Sequence, residues 1–167
     1  MELRSIHEVK TNEDRIKLIA DLIEEGSQDP LIRETAIKIT RHCKDKDKKC
    51  EVKAIYDWVK QNIRYIGDVT GRDSYHTARR ILDLRAGDCD DFTVLLSSLF
   101  RSLNFKVCIG FIKNHIFSSL VLPSAEVYED EKTKINIKYV IVPVDNIRFK
   151  LRYFKEEITI YDFLDFF

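Results

Sequence analysis

Apolar residues recur at helical spacing through the first part of the chain and at strand spacing through the second. Ile16, Ile19, Ala20 and Ile23 lie along one face after Thr11-Asn12-Glu13-Asp14, a capped start, and Gly26 is placed to stop that helix. Asp29-Pro30 supplies the next cap and first helical position, and Ile32, Ala36 and Ile39 carry a second stripe toward Cys43. A third helix runs through Val52, Ile55, Tyr56 and Val59 to about Gln61 and carries the only tryptophan, Trp58. Gly67 to Asp73 reads as a loop, and a short helix covers Tyr75 to Leu84 until Ala86-Gly87 breaks it. From Cys89 the periodicity is strongest, with Phe92, Leu95, Leu96, Leu99, Phe100 and Leu103 on one broad face, so this helix is predicted to be central and buried. After Lys106 the segments Lys106–Ile112, Ile116–Leu122, Ala125–Tyr128, Ile135–Val142 and roughly Ile147–Tyr153 are β-branched and aromatic with short periods. Helices first and strands second predict an α+β domain with an antiparallel sheet.

Length and charge narrow the function classes. A chain of 167 residues is sized for one core, and no linker, repeat or low-complexity segment divides it. The 28 basic and 28 acidic residues cancel, which leaves no global field for nucleic acid or an anionic membrane. Lys44-Asp45-Lys46-Asp47-Lys48-Lys49 is interrupted by acids and reads as a solvated loop. No run approaches the roughly eighteen apolar residues of a membrane helix, and the N-terminus lacks signal-peptide order, so a cytoplasmic location is expected. Richness in Ile, Lys and Glu, with Gln28 and Gln61 as the glutamines, is a bias found in proteins of hot-living organisms.

The chemistry concentrates in Gly87-Asp88-Cys89-Asp90-Asp91-Phe92. With Cys89 in the first helical turn, Asp88 sits at the cap and Asp91 three residues on, both favouring the helix start. The helix N-terminus lowers a thiol pKa and offers N–H groups to a developing oxyanion, while three neighbouring carboxylates raise that pKa. A reactive Cys89 therefore needs a cationic partner. Of His7, His42, His76 and His115, the last opens a strand that can lie beside the tip of a buried helix, and Asp145, after the strand ending at Val142, can orient its ring. The acids do not follow a calcium-loop pattern and are explained by capping and by pairing of Asp91 with Arg79, Arg80 or Arg85.

Taken together, IRYIGD (Ile63 to Asp68), ARRILDLRAGDCDDFTVLLSSLFRSLNFKV (Ala78 to Val107), the strand opening at His115, and YVIVPVD (Tyr139 to Asp145) resemble the transglutaminase-like superfamily. The resemblance is closest to small viral and microbial cysteine-peptidase-like proteins with a GDCDD signature, and covers Glu51 to Asn146. It implies a papain-like α+β core with a cysteine-bearing helix on an antiparallel sheet, residues 1–50 being a helical extension and 147–167 a C-terminal strand and aromatic tail of a single domain. It further implies Cys89 as nucleophile, His115 as general base and Asp145 as its orienting partner, with no cofactor or metal and a protein or peptide substrate. The activity implied is amide hydrolysis through an acyl-enzyme. The alternatives are acyl transfer from glutamine to an amine, and a non-catalytic assembly module, virion-associated if the source is viral. Two features depart from the family: His115-Ile116-Phe117-Ser118-Ser119 is separated from Ala125-Glu126-Val127-Tyr128, and Thr77-Ala78 stands where a proline is usual. Tyr75 and Tyr65 are the candidate oxyanion-hole side chains.

Three features lie outside that site. Cys43 and Cys50 with His42 form H-C-x6-C without the second ligand pair of a structural zinc site; a reducing cytosol leaves cysteines as thiols, so free thiols are expected and a loop-closing disulfide is the alternative. Cys108, alternating within KVCIGFI, is expected to face the core. The terminal YDFLDFF docks on the body, or, if exposed, marks a contact for a partner or a second copy of the chain.

Overall fold

A computed structural model of the chain describes residues 12–67, 75–112, 115–123, 140–143 and 158–162. Five helices precede the main strands: α1 (Asn12–Gln28), α2 (Pro30–Thr40), α3 (Lys48–Asn62), α4 (Ala78–Leu84) and α5 (Cys89–Ser102). Two short strands, β1 (Arg64–Tyr65) and β2 (Ala86–Gly87), are interleaved with them and pair in parallel. The strands β3 (Lys106–Ile112), β4 (His115–Pro123), β5 (Val140–Pro143) and β6 (Ile158–Asp162) form an antiparallel sheet in the order β5-β3-β4-β6. This is the α+β architecture of the sequence reading, with helices on one side of an antiparallel sheet.

The centre is α5. Leu95, Leu99 and Phe100 are fully buried, Leu96 nearly so, and each contributes about 1.5–3 kcal/mol relative to an exposed position. Helix α5 is buried well beyond its apolar stripe, because Thr93, Ser97, Ser98 and Ser102 are also enclosed. Three of these hydroxyls are satisfied within the packing: Thr93 Oγ1 donates to the Cys89 carbonyl, Ser97 Oγ to Ser118 Oγ of β4 and Ser102 Oγ to the Leu99 carbonyl, each at 2.7 Å. The Ser97–Ser118 bond ties the helix to one strand and one register, which an all-apolar contact would not do.

The neighbouring helices have defined directions. Arg15 of α1 meets Asp90 at the start of α5 and Glu24 of α1 meets Arg101 near its end, so α1 and α5 run side by side in the same direction. Helix α3 runs the opposite way: Lys48 at its start lies 4.8 Å over the Phe105 ring beyond the end of α5, and β1 after its end pairs with β2 just before α5.

Several boundaries differ from the sequence reading. Gly26 does not stop α1, which continues to Gln28. Its role is close approach, since a Cβ there would collide with Ser98 Oγ and lie 2.8 Å from Ala78 Cβ, so α1 crosses α4 and α5 backbone-close at that point. Helix α4 begins at Ala78, not Tyr75, because the Thr77 hydroxyl caps it by accepting from Arg80 N–H. It ends at Arg85, which takes the left-handed conformation (φ 56°) and lays its guanidinium over Trp58 at 5.0 Å. Helix α3 starts at Lys48, four residues before the expected apolar stripe, because Asp47 caps it by accepting from Cys50 N–H. Cys43 and Cys50 are joined by a disulfide, not free; the cap brings the first turn of α3 back over the end of α2, within bridging reach at a Cα separation of 5.7 Å. Cys108 is buried as expected. The expected strands at Ala125–Tyr128 and Ile147–Tyr153, the tail beyond Asp162, and Asp145 lie outside the described residues. No helix among the described residues is long and apolar enough to cross a membrane.

Candidate active site

The GDCDDF segment forms the approach and first turn of α5. Strand β2 delivers Gly87, where Ile66 N–H donates to the Gly87 carbonyl at 2.8 Å, and the chain turns into the helix at Asp88. Asp88 and Asp91 complete a reciprocal capping box: Asp91 N–H donates to Asp88 Oδ1 and Asp88 N–H donates to Asp91 Oδ2, each at 3.1 Å. Both carboxylates are buried, and they form the cap expected of them at the start of α5.

The ion pairing of the acids departs from the sequence reading. Asp91 meets His76 Nδ1 at 3.0 Å, not Arg79, Arg80 or Arg85; Arg79 is engaged with Asp29 at the start of α2. Burial raises the Asp91 carboxyl pKa, and His76 together with the Asp88 N–H opposes that rise. Asp90 is held by Arg15, whose Nη2 lies 2.6 Å and Nε 3.0 Å from the same carboxylate oxygen. This pair is enclosed, with side-chain exposures of 16% for Arg15 and 3% for Asp90. Arg15 was missed because an arginine on the polar face of an amphipathic helix carries no signal in spacing, and its partner lies 75 positions away.

Cys89 sits in the first turn of α5, partly buried, and burial with four neighbouring groups sets its thiol. Burial pushes the thiol up, the Asp90 and Asp88 charges push it further, to about 11, while the backbone N–H of Ile116 and the Arg15 guanidinium pull against them. The Arg15 Nη2 to Cys89 Sγ distance is 3.8 Å. Ile116 is the second residue of β4 and follows His115 directly, so the thiol abuts the strand end that the sequence reading paired with it. His115 begins β4 opposite Ile112 in the register; the orientation of its side chain lies outside what the structure describes.

The two tyrosines separate. Tyr65 is half exposed (46%) and its ring stacks on Phe92 at 5.9 Å, a lid on the first turn of α5. Tyr75 is buried and lies near enough to Arg15 to influence its charge; burial opposes that charge, but Asp90 above all holds the guanidinium pKa above its usual value.

Removing the Asp90 charge is therefore expected to lower the Cys89 thiol pKa, both directly and by leaving Arg15 to face the sulfur, whereas removing Arg15 is expected to raise it. Thiolate absorbance or alkylation rate against pH for Asp90→Asn and Arg15→Gln checks the pair of signs. Shifts in the same direction for both variants would contradict this account of the charges.

A thiol at the first turn of a buried helix, abutting the end of an antiparallel strand, within a helices-then-sheet core, defines the papain-like class of α+β fold. The chain belongs to the transglutaminase-like superfamily, whose family model matches residues 33–133. Helix α1, the source of Arg15, precedes the matched stretch. Among solved structures, a candidate cysteine protease from Cytophaga hutchinsonii is similar at 21% identity and a TM-score of 0.43 over 70% of this chain. The alignment spans 37% of that longer chain. No curated protein matches.

Proposed function

We propose that the protein is a thiol hydrolase of amide bonds in peptides or proteins, with Cys89 as nucleophile, His115 as general base and acid, and Asp145 orienting the His115 ring. The observation that carries this reading is the position of Cys89, in the first turn of α5 and near enough to the backbone N–H of Ile116, one residue beyond His115, for that N–H to pull its thiol pKa down. Membership of the transglutaminase-like superfamily supports thiol chemistry on an acyl group.

In the proposed reaction His115 takes the thiol proton as Sγ forms a bond to the substrate carbonyl carbon, and the carbonyl electron pair moves onto oxygen. First-turn N–H groups of α5 face that oxyanion, with Tyr75 or Tyr65 as the candidate side-chain donor. The C–N bond then breaks, the amine leaves with the proton from His115, and a thioester remains. Water attacks the thioester as His115 removes its proton, the C–S bond breaks as His115 returns that proton to Cys89 Sγ, and a carboxylic acid is released. With burial and two carboxylates pushing the thiol up to about 11, little thiolate exists at neutral pH without a base. Proton transfer concerted with attack is therefore the route that fits the charges.

Hydrolysis and acyl transfer share every step up to the thioester. A glutaminyl peptide and a bulkier amide substrate, each assayed with and without an added primary amine, separate them. Cleavage with no amine incorporated is expected. Ammonia release accompanied by stoichiometric amine incorporation would assign acyl transfer, and no turnover with reactive Cys89 intact would leave the assembly-module reading in its place.

A further inference from the structure

At the end of α5 remote from Cys89, the loop between α2 and α3 brings a second thiol cluster together. His42 and Cys43 follow the last turn of α2, and Cys50 lies in the first turn of α3, where the Asp47 carboxylate already occupies its backbone N–H. The His42, Cys43 and Cys50 ligand atoms all lie within 4.8 Å of one another, and His42 is exposed while both cysteines are half-buried. We propose that this loop is a zinc site of one histidine and two cysteines, closed while the Cys43–Cys50 disulfide stands and opened by its reduction.

The geometry is suited to the ion. Tetrahedral zinc with Zn–S of about 2.3 Å and Zn–N of about 2.0–2.1 Å separates a sulfur and a nitrogen ligand by about 3.6 Å. His42 Nε2 and Cys43 Sγ are already 3.8 Å apart. The two sulfurs must separate to bind the ion, and they stand on the ends of different helices, Cys43 after α2 and Cys50 in the first turn of α3, with His42 within 4.8 Å of both. Spacing along the sequence hid the site, because the usual second pair of ligands is absent; here the third ligand is the residue adjacent to the first cysteine, and the fourth position is open to water. Sulfur and imidazole together favour zinc over magnesium or calcium.

The chemistry balances. A dithiol reductant attacks one sulfur, the S–S bond breaks, two electrons pass to the protein, and the reductant closes into its own disulfide. Its two protons finish on Cys43 and Cys50, and zinc binding then releases both to solvent as the thiolates coordinate. Zinc and the disulfide thus compete for the same two sulfurs, so bound zinc protects them from oxidation. The site lies roughly 20 Å from Cys89, the length of the 14-residue α5, and is independent of the proposed hydrolase.

The full chain carrying Cys89→Ser, so that no catalytic thiol contributes, is reduced, freed of reductant without air, and titrated with zinc against a chromophoric chelator. One zinc per chain is expected in the reduced form and none in the oxidised form. His42→Ala, an exposed change that leaves the staple intact, is expected to weaken binding on the order of a hundredfold or more, since even partners outside the ligand set cost ten- to a hundredfold. Cobalt in place of zinc should give a thiolate-to-metal charge-transfer band that the Cys43→Ser/Cys50→Ser variant lacks. Equal zinc binding by reduced and oxidised chains, or by reduced chain and His42→Ala, would overturn the proposal without bearing on the amide chemistry.

Discussion

Cys89→Ser is expected to lower kcat/KM on an amide substrate by about ten-thousandfold or more, and His115→Ala by a comparable factor, with the double variant little worse than either. That non-additivity is the signature of groups acting as one unit. Initial rates on a fluorogenic peptide, with intact mass after iodoacetamide, check it. The pH profile carries the finer discrimination. Burial, Asp90 and Asp88 push the wild-type thiol up to about 11, so reaction near neutral pH depends on His115 taking the proton during attack; in His115→Ala that help is lost and alkylation should rise steeply only in the alkaline range. In the wild type, reaction near pH 6–7 should be faster by orders of magnitude. Identical alkylation profiles for the two would remove His115 from the site. A stability consequence follows with a fixed sign. The folded thiol holds its proton from the ordinary 9.0 up to about 11, while the unfolded thiol has already lost it, so stability falls as pH rises through that window. Cys89→Ser should abolish that part of the alkaline loss in denaturant titrations.

The elements that were legible are those where one physical signal dominates. The α5 stripe of Phe92, Leu95, Leu96, Leu99 and Phe100 is a burial pattern, and Asp88 with Asp91 is a local capping box; both depend on residues within a few positions of one another. What escaped depends on distance. Arg15 reaches Asp90 across 75 positions and His76 reaches Asp91 across 15, and neither residue type announces its partner. Gly26 was read as a stop because glycine disfavours helix interiors, but the need for Ser98 and Ala78 to approach α1 outweighs a propensity cost of about 1 kcal/mol. The Cys43–Cys50 bridge turned on the Asp47 cap, which moves the start of α3 forward and swings Cys50 toward Cys43; the reading of free thiols weighed compartment alone.

Gly87→Ala is expected to damage both stability and turnover, although it changes no charge and touches no reacting group. Gly87 lies against the Asp91 side chain so closely that a methyl group there would overlap Asp91 Cβ and sit 2.8 Å from Oδ2 and 3.0 Å from Cγ. These atoms cannot swing aside, because Oδ2 accepts from Asp88 N–H and Oδ1 meets His76. Either the capping box opens or β2 pulls away from β1 and from Ile66 just after it, whose N–H bond to the Gly87 carbonyl sets where α5 begins. Overpacking of this kind costs about 1–3 kcal/mol, and each kcal/mol lowers Tm by roughly 2–4 °C at this chain length. The first turn of α5 carries Cys89, so its displacement moves the sulfur relative to Ile116, and a shift of about 1 Å is enough to cost on the order of a hundredfold in rate. Gly67→Ala is the matched control: among the described residues a methyl group there meets nothing within 4 Å, and Tm and rate should both hold. Calorimetry and kcat/KM on the two variants separate the outcomes. Full activity in Gly87→Ala would mean that α5 starts where it does for some reason other than the fit of Asp91 against a bare backbone.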